Sequence, residues 1–177
     1  DLQKIFYMAS RARWPRSRRP WVSGTSICLG LAQAEGGGTF INPGDFISNG
    51  FIQQANQGFA STLRSLNRDF VWTSLQVNGN TVAAWHQDSG NSGPSAMVVA
   101  GTFDDGQFEL ERHAPVQLRG RIIFFCGRDW HRSHDFSGGD RLSLVAFRHE
   151  LADTCTEAQR ERLKELGFQL SVAPRGA

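Results

Sequence analysis

The chain of 177 residues sets 19 Lys+Arg against 17 Asp+Glu, and 40% of it is hydrophobic, including 13 Phe and five Trp. That length suits one domain with a sizeable core, and a net charge of +2 is too small to mark the whole chain as a nucleic-acid or membrane binder. No stretch approaches the ~20 apolar residues that span a bilayer, and Cys28, Cys126 and Cys155 lie too far apart for a zinc knuckle or a disulfide framework.

With no signal-peptide pattern at its start, the chain is expected to be intracellular (nuclear or cytoplasmic), not secreted. Residues 1–24 read as a basic N-terminal arm. The first 20 residues hold six bases (Lys4, Arg11, Arg13, Arg16, Arg18 and Arg19) against Asp1, which leaves the rest mildly acidic. Residues 9–20 lack an apolar period and read either as a solvated arm or edge segment or as an electrostatic contact to phosphates. Gly36, Gly37 and Gly38 break the chain before Phe40 and Ile41. Over 46–66 the residues Ile52, Ala55, Phe59, Leu63 and Leu66 step by three and four, predicting a helix with one buried face.

After Asn67 the texture turns to short strands. Segments 70–78 and 81–86 flank an Asn-Gly-Asn turn and predict a hairpin. Further strands are expected at 95–100, at 102–103 and 107–111 around the turn Asp104-Asp105-Gly106, at 121–125 and at 141–149. Apolar residues of both parities in the last two predict strands covered on both sides. Thr156 and Gln159 form a capping box for a C-terminal helix over 156–167, with Gly167 as its stop. The expected fold is mainly β with flanking α-helices: a sandwich or barrel buttressed by helices, one domain over 1–177 with its core at 70–150.

The chemistry gathers in three places. In His86-Gln87-Asp88, residues two apart on a strand face the same way, so an imidazole and a carboxylate can approach one metal ion. His131 and His134, just beyond the strand at 121–125, offer a third ligand. Two His and one carboxylate make the facial triad of non-haem iron sites, which leaves positions open for co-substrate and dioxygen. In Arg141-Leu142-Ser143 a guanidinium and a hydroxyl share a face, suited to gripping a carboxylate.

Taken in order, WHQDSGNSGPS at 85–95 and DWHRSHDFSGGDRLSLVAF at 129–147 resemble the Fe(II)- and 2-oxoglutarate-dependent dioxygenases. The resemblance covers about residues 70–150 and implies a double-stranded β-helix (jelly-roll, cupin-like) core. It also implies that His86, Asp88 and a distal His hold Fe(II), while Arg141 and Ser143 bind the far carboxylate of 2-oxoglutarate. O2 would be the second co-substrate, with ascorbate as an auxiliary reductant. The distal ligand is taken as His131, ten residues before Arg141; His134, seven before it, is the alternative. Asn78 and Asn91 are similar to positions of a subgroup in which they orient co-substrate or brace the metal loop, although Asn91 reads equally as a turn residue. Trp85 and Trp130 flank metal ligands and either wall the pocket or, as the first expectation, pack in the core; His113 and His149 read as surface or satisfied core groups.

The strand before the triad and its Asn-rich turn resemble compact nucleic-acid-modifying oxygenases of the TET/JBP type. That makes a methylated base in nucleic acid the first expectation for the substrate, with the basic arm as the contact to phosphates. A protein side chain, as in a prolyl hydroxylase of the same superfamily, is the alternative, followed by a small metabolite. A non-catalytic jelly-roll binding module is a third class. A degenerate site of that kind is expected to have lost one of His86, Asp88, His131 or Arg141, and all four are present.

Overall fold

The computed structural model describes residues 4–5, 7–8, 15–17, 19–42, 49–67 and 69–170. In chain order the elements are β1 (Thr25–Gln33), β2 (Thr39–Asn42), helix α1 (Asn49–Leu66), β3 (Ser74–Gly79), β4 (Asn91–Gly101) and β5 (Asp104–Asp105). There follow β6 (Phe108–Leu110), β7 (Ile122–Cys126), β8 (His131–Ser133), β9 (Phe136–Ser137), β10 (Arg141–His149), a 3-10 turn (Glu150–Thr154) and helix α2 (Glu157–Glu165).

Six strands make one antiparallel sheet in the order β2-β1-β3-β10-β4-β7. The side-chain period of two sorts this sheet into two faces. Ile27, Leu29, Leu75, Val77, Leu144, Ala146, Ala96 and Val98 turn to one face and pack against Ile52, Ala55, Phe59 and Leu63 of α1 and Leu163 of α2. Each fully buried Leu or Ile there contributes about 1.5–3 kcal/mol relative to exposure. On the other face Met97, Val99, Phe125 and Val145 meet Phe103, Phe108 and Leu118. These belong to the side built from the short antiparallel pairs β5-β9 and β6-β8. Residues 141–147 are buried throughout, as expected for a strand covered on both sides.

The C-terminal helix forms as its signals predict. Thr156 is the N-cap of a complete capping box with Gln159. At the other end Gly167, at φ 84°, lets its own N–H reach Lys164 O and that of Phe168 reach Leu163 O. That is a Schellman stop, which requires the left-handed conformation open to glycine.

Three expectations are corrected. Segments 70–78 and 81–86 do not form a hairpin: β3 pairs with β1 and β10, while 81–86 crosses to the opposite side, where it makes the bridges Val22–Ala83 and His86–His131 and Ala83 O accepts from Ser133 N–H of β8. The Asn-Gly-Asn turn ends a strand, but the neighbours of β3 come from distant segments that bury its Leu75 and Val77. Asp104-Asp105 is not only a turn, since it pairs with β9 before the chain turns at Asp105 and Gly106, both at positive φ. Leu66 shares the apolar stripe in sequence, yet as the last residue of α1 it is 61% exposed. Of the basic arm, Arg16 and residues 19–25 lie along the molecule as an edge segment, through the bridges Arg16–Thr25 and Val22–Ala83. Arg11, Arg13, Arg18 and the first turn of the helix predicted from 46 fall outside the described residues. No helix among the described residues is long and apolar enough to cross a membrane.

Candidate metal centre

Segment 80–86 leaves β3 through Asn80, whose backbone is left-handed (φ 51°), a conformation that Asn tolerates. Its side-chain oxygen accepts the backbone N–H of Arg141 at 2.7 Å, tying the crossover to β10. The chain then runs extended beside β8. His86 and His131 exchange both backbone hydrogen bonds at 3.0 Å, so they sit directly opposite one another with their rings on one face, 4.2 Å between centroids. Asp88 stands in the turn that leads into β4, where its N–H donates to Gly127 O and its carbonyl accepts from Asn91 N–H. A Cβ at Gly127 would lie 2.6 Å from Asn91 Nδ2, so this close approach is open only to glycine.

The ligand atoms of His86, Asp88 and His131 lie within 4.8 Å of one another. Each imidazole is oriented from behind: His86 Nδ1 meets Ala84 O at 2.7 Å and His131 Nδ1 meets Asp129 O at 2.8 Å. A carbonyl oxygen only accepts, so both Nδ1 atoms carry the proton, and in the neutral rings both Nε2 atoms present lone pairs. His131 Nε2 faces Asp88 Oδ2 at 3.7 Å. Two nitrogen lone pairs and a carboxylate thus converge where a cation would reconcile them. Burial lowers the pKa of His86, which favours the neutral, ligating form. Burial works against ionisation of Asp88, but a hydrogen bond from the His131 ring when it carries both protons and the charge of the Arg19 guanidinium outweigh it and hold the carboxyl below its usual range. Arg19 Nη1 donates to Asp88 Oδ1 at 2.8 Å.

Deeper in the same cavity lies Arg141, 3% exposed. Its Nη1 donates to Thr81 O at 3.2 Å and its guanidinium rests 5.7 Å from the centroid of Phe103. Its Nε is buried with no partner, and no carboxylate pairs with it among the described residues. Burial pulls its pKa down to about 10, so the group stays charged at neutral pH. Register places Ser26, Asn78 and Ser143 in one row across β1, β3 and β10. Gln76 Nε2 donates to Ser26 Oγ at 2.6 Å, Ser26 Oγ to Asn78 Oδ1 at 2.8 Å, and Asn78 Nδ2 to Ser143 Oγ at 3.1 Å. Because Ser143 accepts from Asn78, its own hydroxyl proton is left to donate elsewhere. The cavity holds about 80 Å³, several times the roughly 10–15 Å³ that one water needs.

The other expected residues are placed as follows. His134 stands away from the cluster, its Nε2 2.7 Å from Glu109 Oε2, which also takes the Arg132 guanidinium. Asn91 lines the cavity, buried, with its Nδ2 on Ser95 Oγ at 3.2 Å. Trp85 and Trp130 do not pack in the core: they are 38% and 44% exposed. Alternation along the chain sends them to the face opposite His86 and His131, and Arg132 lies over the Trp85 ring at 4.7 Å. His113 is exposed, and His149 is buried with its Nδ1 accepting from Leu151 N–H. Burial pushes the Cys28 thiol up to about 12, so it is no nucleophile at neutral pH.

Sequence reasoning missed Ser26, Gln76, Thr81 and Arg19 in the cavity wall, and Trp21, whose ring lies 6.4 Å from that of His86. For Ser26 a signal exists: Ile27, Leu29 and Leu31 alternate with Ser26, Cys28 and Gly30 at strand period. For Arg19 there is none, because its partner is 69 residues away.

No family model and no curated protein matches the chain. Among solved structures it is similar to an oxidoreductase of the 2OG-Fe(II) oxygenase family from Burkholderia pseudomallei, with a TM-score of 0.56 over 82% of this chain and 77% of that one, at 15% identity. At that identity the likeness is one of fold: a mainly β, jelly-roll architecture flanked by helices.

Proposed function

We propose that the chain is an Fe(II)- and 2-oxoglutarate-dependent dioxygenase of the superfamily to which that neighbour belongs by its description. One observation carries the reading. Three ligand atoms within 4.8 Å share a cavity with a buried, charged, carboxylate-free arginine. His86, Asp88 and His131 would hold the iron, their donor set being that of non-haem Fe(II) sites. Arg141 and the free Ser143 proton would take the far carboxylate of 2-oxoglutarate, the arginine by charge and the serine by direction. When bound, iron and 2-oxoglutarate supply dioxygen activation coupled to decarboxylation, which yields succinate, CO2 and an oxidised C–H bond.

This chain's own residues orient and exclude. Ala84 O and Asp129 O fix the two imidazoles through Nδ1. Asn78 aims Ser143, and Asn91 braces the turn bearing Asp88. Met97, Phe108, Phe125, Val145 and Phe147 line the cavity with apolar surface that keeps water from it. For the substrate we carry forward a methylated base in nucleic acid, as in the TET/JBP-type enzymes. The bases ahead of residue 20 support this reading, Arg16 among them exposed.

The test is succinate release from 2-oxoglutarate with Fe(II) and ascorbate, together with mass spectrometry of methylated oligonucleotides and of peptides. Wild type is expected to form succinate and to add oxygen to the oligonucleotide. His86→Ala and Asp88→Ala are expected to lose both activities while keeping the native circular dichroism spectrum. Undiminished turnover in either variant removes the assigned triad, and oxygen gained only by a peptide moves the substrate to a protein side chain.

A further inference from the structure

We propose that Arg19 is a positioning residue for the Asp88 carboxylate, holding one oxygen so that the other alone faces the two histidines. The inference rests on the metal-centre reading above and concerns how this chain tunes that site.

Asp88 divides its two oxygens between two neighbours. Oδ1 accepts from Arg19 Nη1 at 2.8 Å, while Oδ2 is turned to His131 Nε2 at 3.7 Å. Arg19 is not a stray surface side chain that happens to reach in. It opens a turn in which Val22 N–H donates to its carbonyl at 3.1 Å. The residues after it are laced to the segment that carries His86: Ser23 N–H donates to Val82 O and Ala84 N–H to Trp21 O, each at 2.9 Å. The same turn sets the Trp21 ring 6.4 Å from that of His86. The backbone that delivers Arg19 is therefore fixed to the backbone that delivers a neighbouring ligand, so the guanidinium and the triad keep one geometry. Among the described residues Asp88 is the one carboxylate paired with Arg19.

The arginine side chain is 47% exposed and the aspartate 19%. An ion pair so open on one side adds little to stability, so its consequence falls on orientation. A carboxylate is free to rotate and to offer a cation one oxygen or both. With Oδ1 engaged by a charge-assisted bond, Oδ2 is the one presented. Without Arg19 the carboxylate is free to turn Oδ2 away from the two histidines, so the ion loses a ligand held in place. The arm that reads in sequence as a phosphate contact thus has one of its arginines assigned to the metal site.

The test is titration of Co(II) into the full chain, followed by visible absorption, for wild type, Arg19→Met, Arg19→Lys and His131→Ala. Wild type is expected to take one ion with a ligand-field band that His131→Ala loses. Arg19→Met is expected to shift that band and to weaken binding by roughly 10-fold or more, in the range seen when ligands lose their outer hydrogen-bond partners. Arg19→Lys, which keeps a donor and a charge, should restore part of both, and all variants should melt near the wild-type temperature. An Arg19→Met protein with the wild-type band and affinity overturns the proposal. So does one that binds Co(II) more tightly, since Arg19 would then be competing for the carboxylate and not positioning it. A wild type with no His131-dependent band overturns the metal-centre reading and this proposal with it, an outcome distinct from the other two.

Discussion

Arg141 carries a full charge on a side chain that solvent barely touches, with its Nε unpaired and its neighbours a carbonyl and an aromatic face. Such a group is costly to bury alone, and an anion brought into the cavity would offset that cost. Replacing Arg141 with Ala should therefore raise the 2-oxoglutarate requirement. A charge-assisted bond contributes about 1.5–3 kcal/mol, which converts to roughly a 10- to 150-fold rise. Steady-state kinetics over a range of 2-oxoglutarate concentrations checks this, and an unchanged requirement assigns that carboxylate to another residue. The residue scale is also where the two histidines after residue 130 part. His131 is paired by backbone with His86 and has a carbonyl behind Nδ1, whereas His134 is held by Glu109, three residues on but turned into a different neighbourhood.

At the scale of elements, periodicity carried most of the prediction. The stripe Ile52, Ala55, Phe59 and Leu63 is buried in α1, and the capping box and glycine stop bound α2. What periodicity hid is Asn56, which is fully buried on that same stripe. Its Nδ2 donates to Leu166 O and its Oδ1 accepts from the Trp72 indole, each at 2.8 Å. One side chain thereby joins α1, the end of α2 and the approach to β3. Asn56→Ala leaves two buried groups without partners, at about 1–3 kcal/mol each. The expected loss of unfolding free energy is about 2–6 kcal/mol, read from the urea midpoint, with residual activity per folded molecule unchanged. A polar residue among apolar neighbours has no local signature that separates a satisfied buried amide from a solvent-facing one. The failed hairpin has the same origin: an Asn-Gly turn marks where a strand ends, and only the partners brought from 25–30 and 141–147 decide what that strand pairs with.

For the molecule as a whole, charge is distributed unevenly: the first 20 residues are basic and the remainder is mildly acidic. With Arg19 engaged by Asp88, the arginines left to meet phosphates are Arg11, Arg13, Arg16 and Arg18. If four contacts form, the logarithm of duplex affinity should fall with the logarithm of salt at a slope of about −3.6, from ~0.9 per phosphate. Fluorescence anisotropy across a salt series measures it. Binding that is absent, or indifferent to salt, takes the nucleic-acid substrate away and leaves the site chemistry untouched.

The sequence by itself determined what is local along the chain. It set the strand and helix periods, the caps, the Arg-x-Ser pair that shares a face because alternate residues on a strand must, the His-x-Asp spacing, and the class of chemistry those pairs suit. Tertiary structure alone decided the long-range meetings. It put β1 beside β3 so that Ser26, Asn78 and Ser143 form one row, placed His131 opposite His86, and brought Arg19 onto Asp88. The physical reason is that a backbone period is imposed by the geometry of neighbouring residues. A contact across 69 positions follows from register, loop closure and the burial of both sheet faces together, and no local pattern records these.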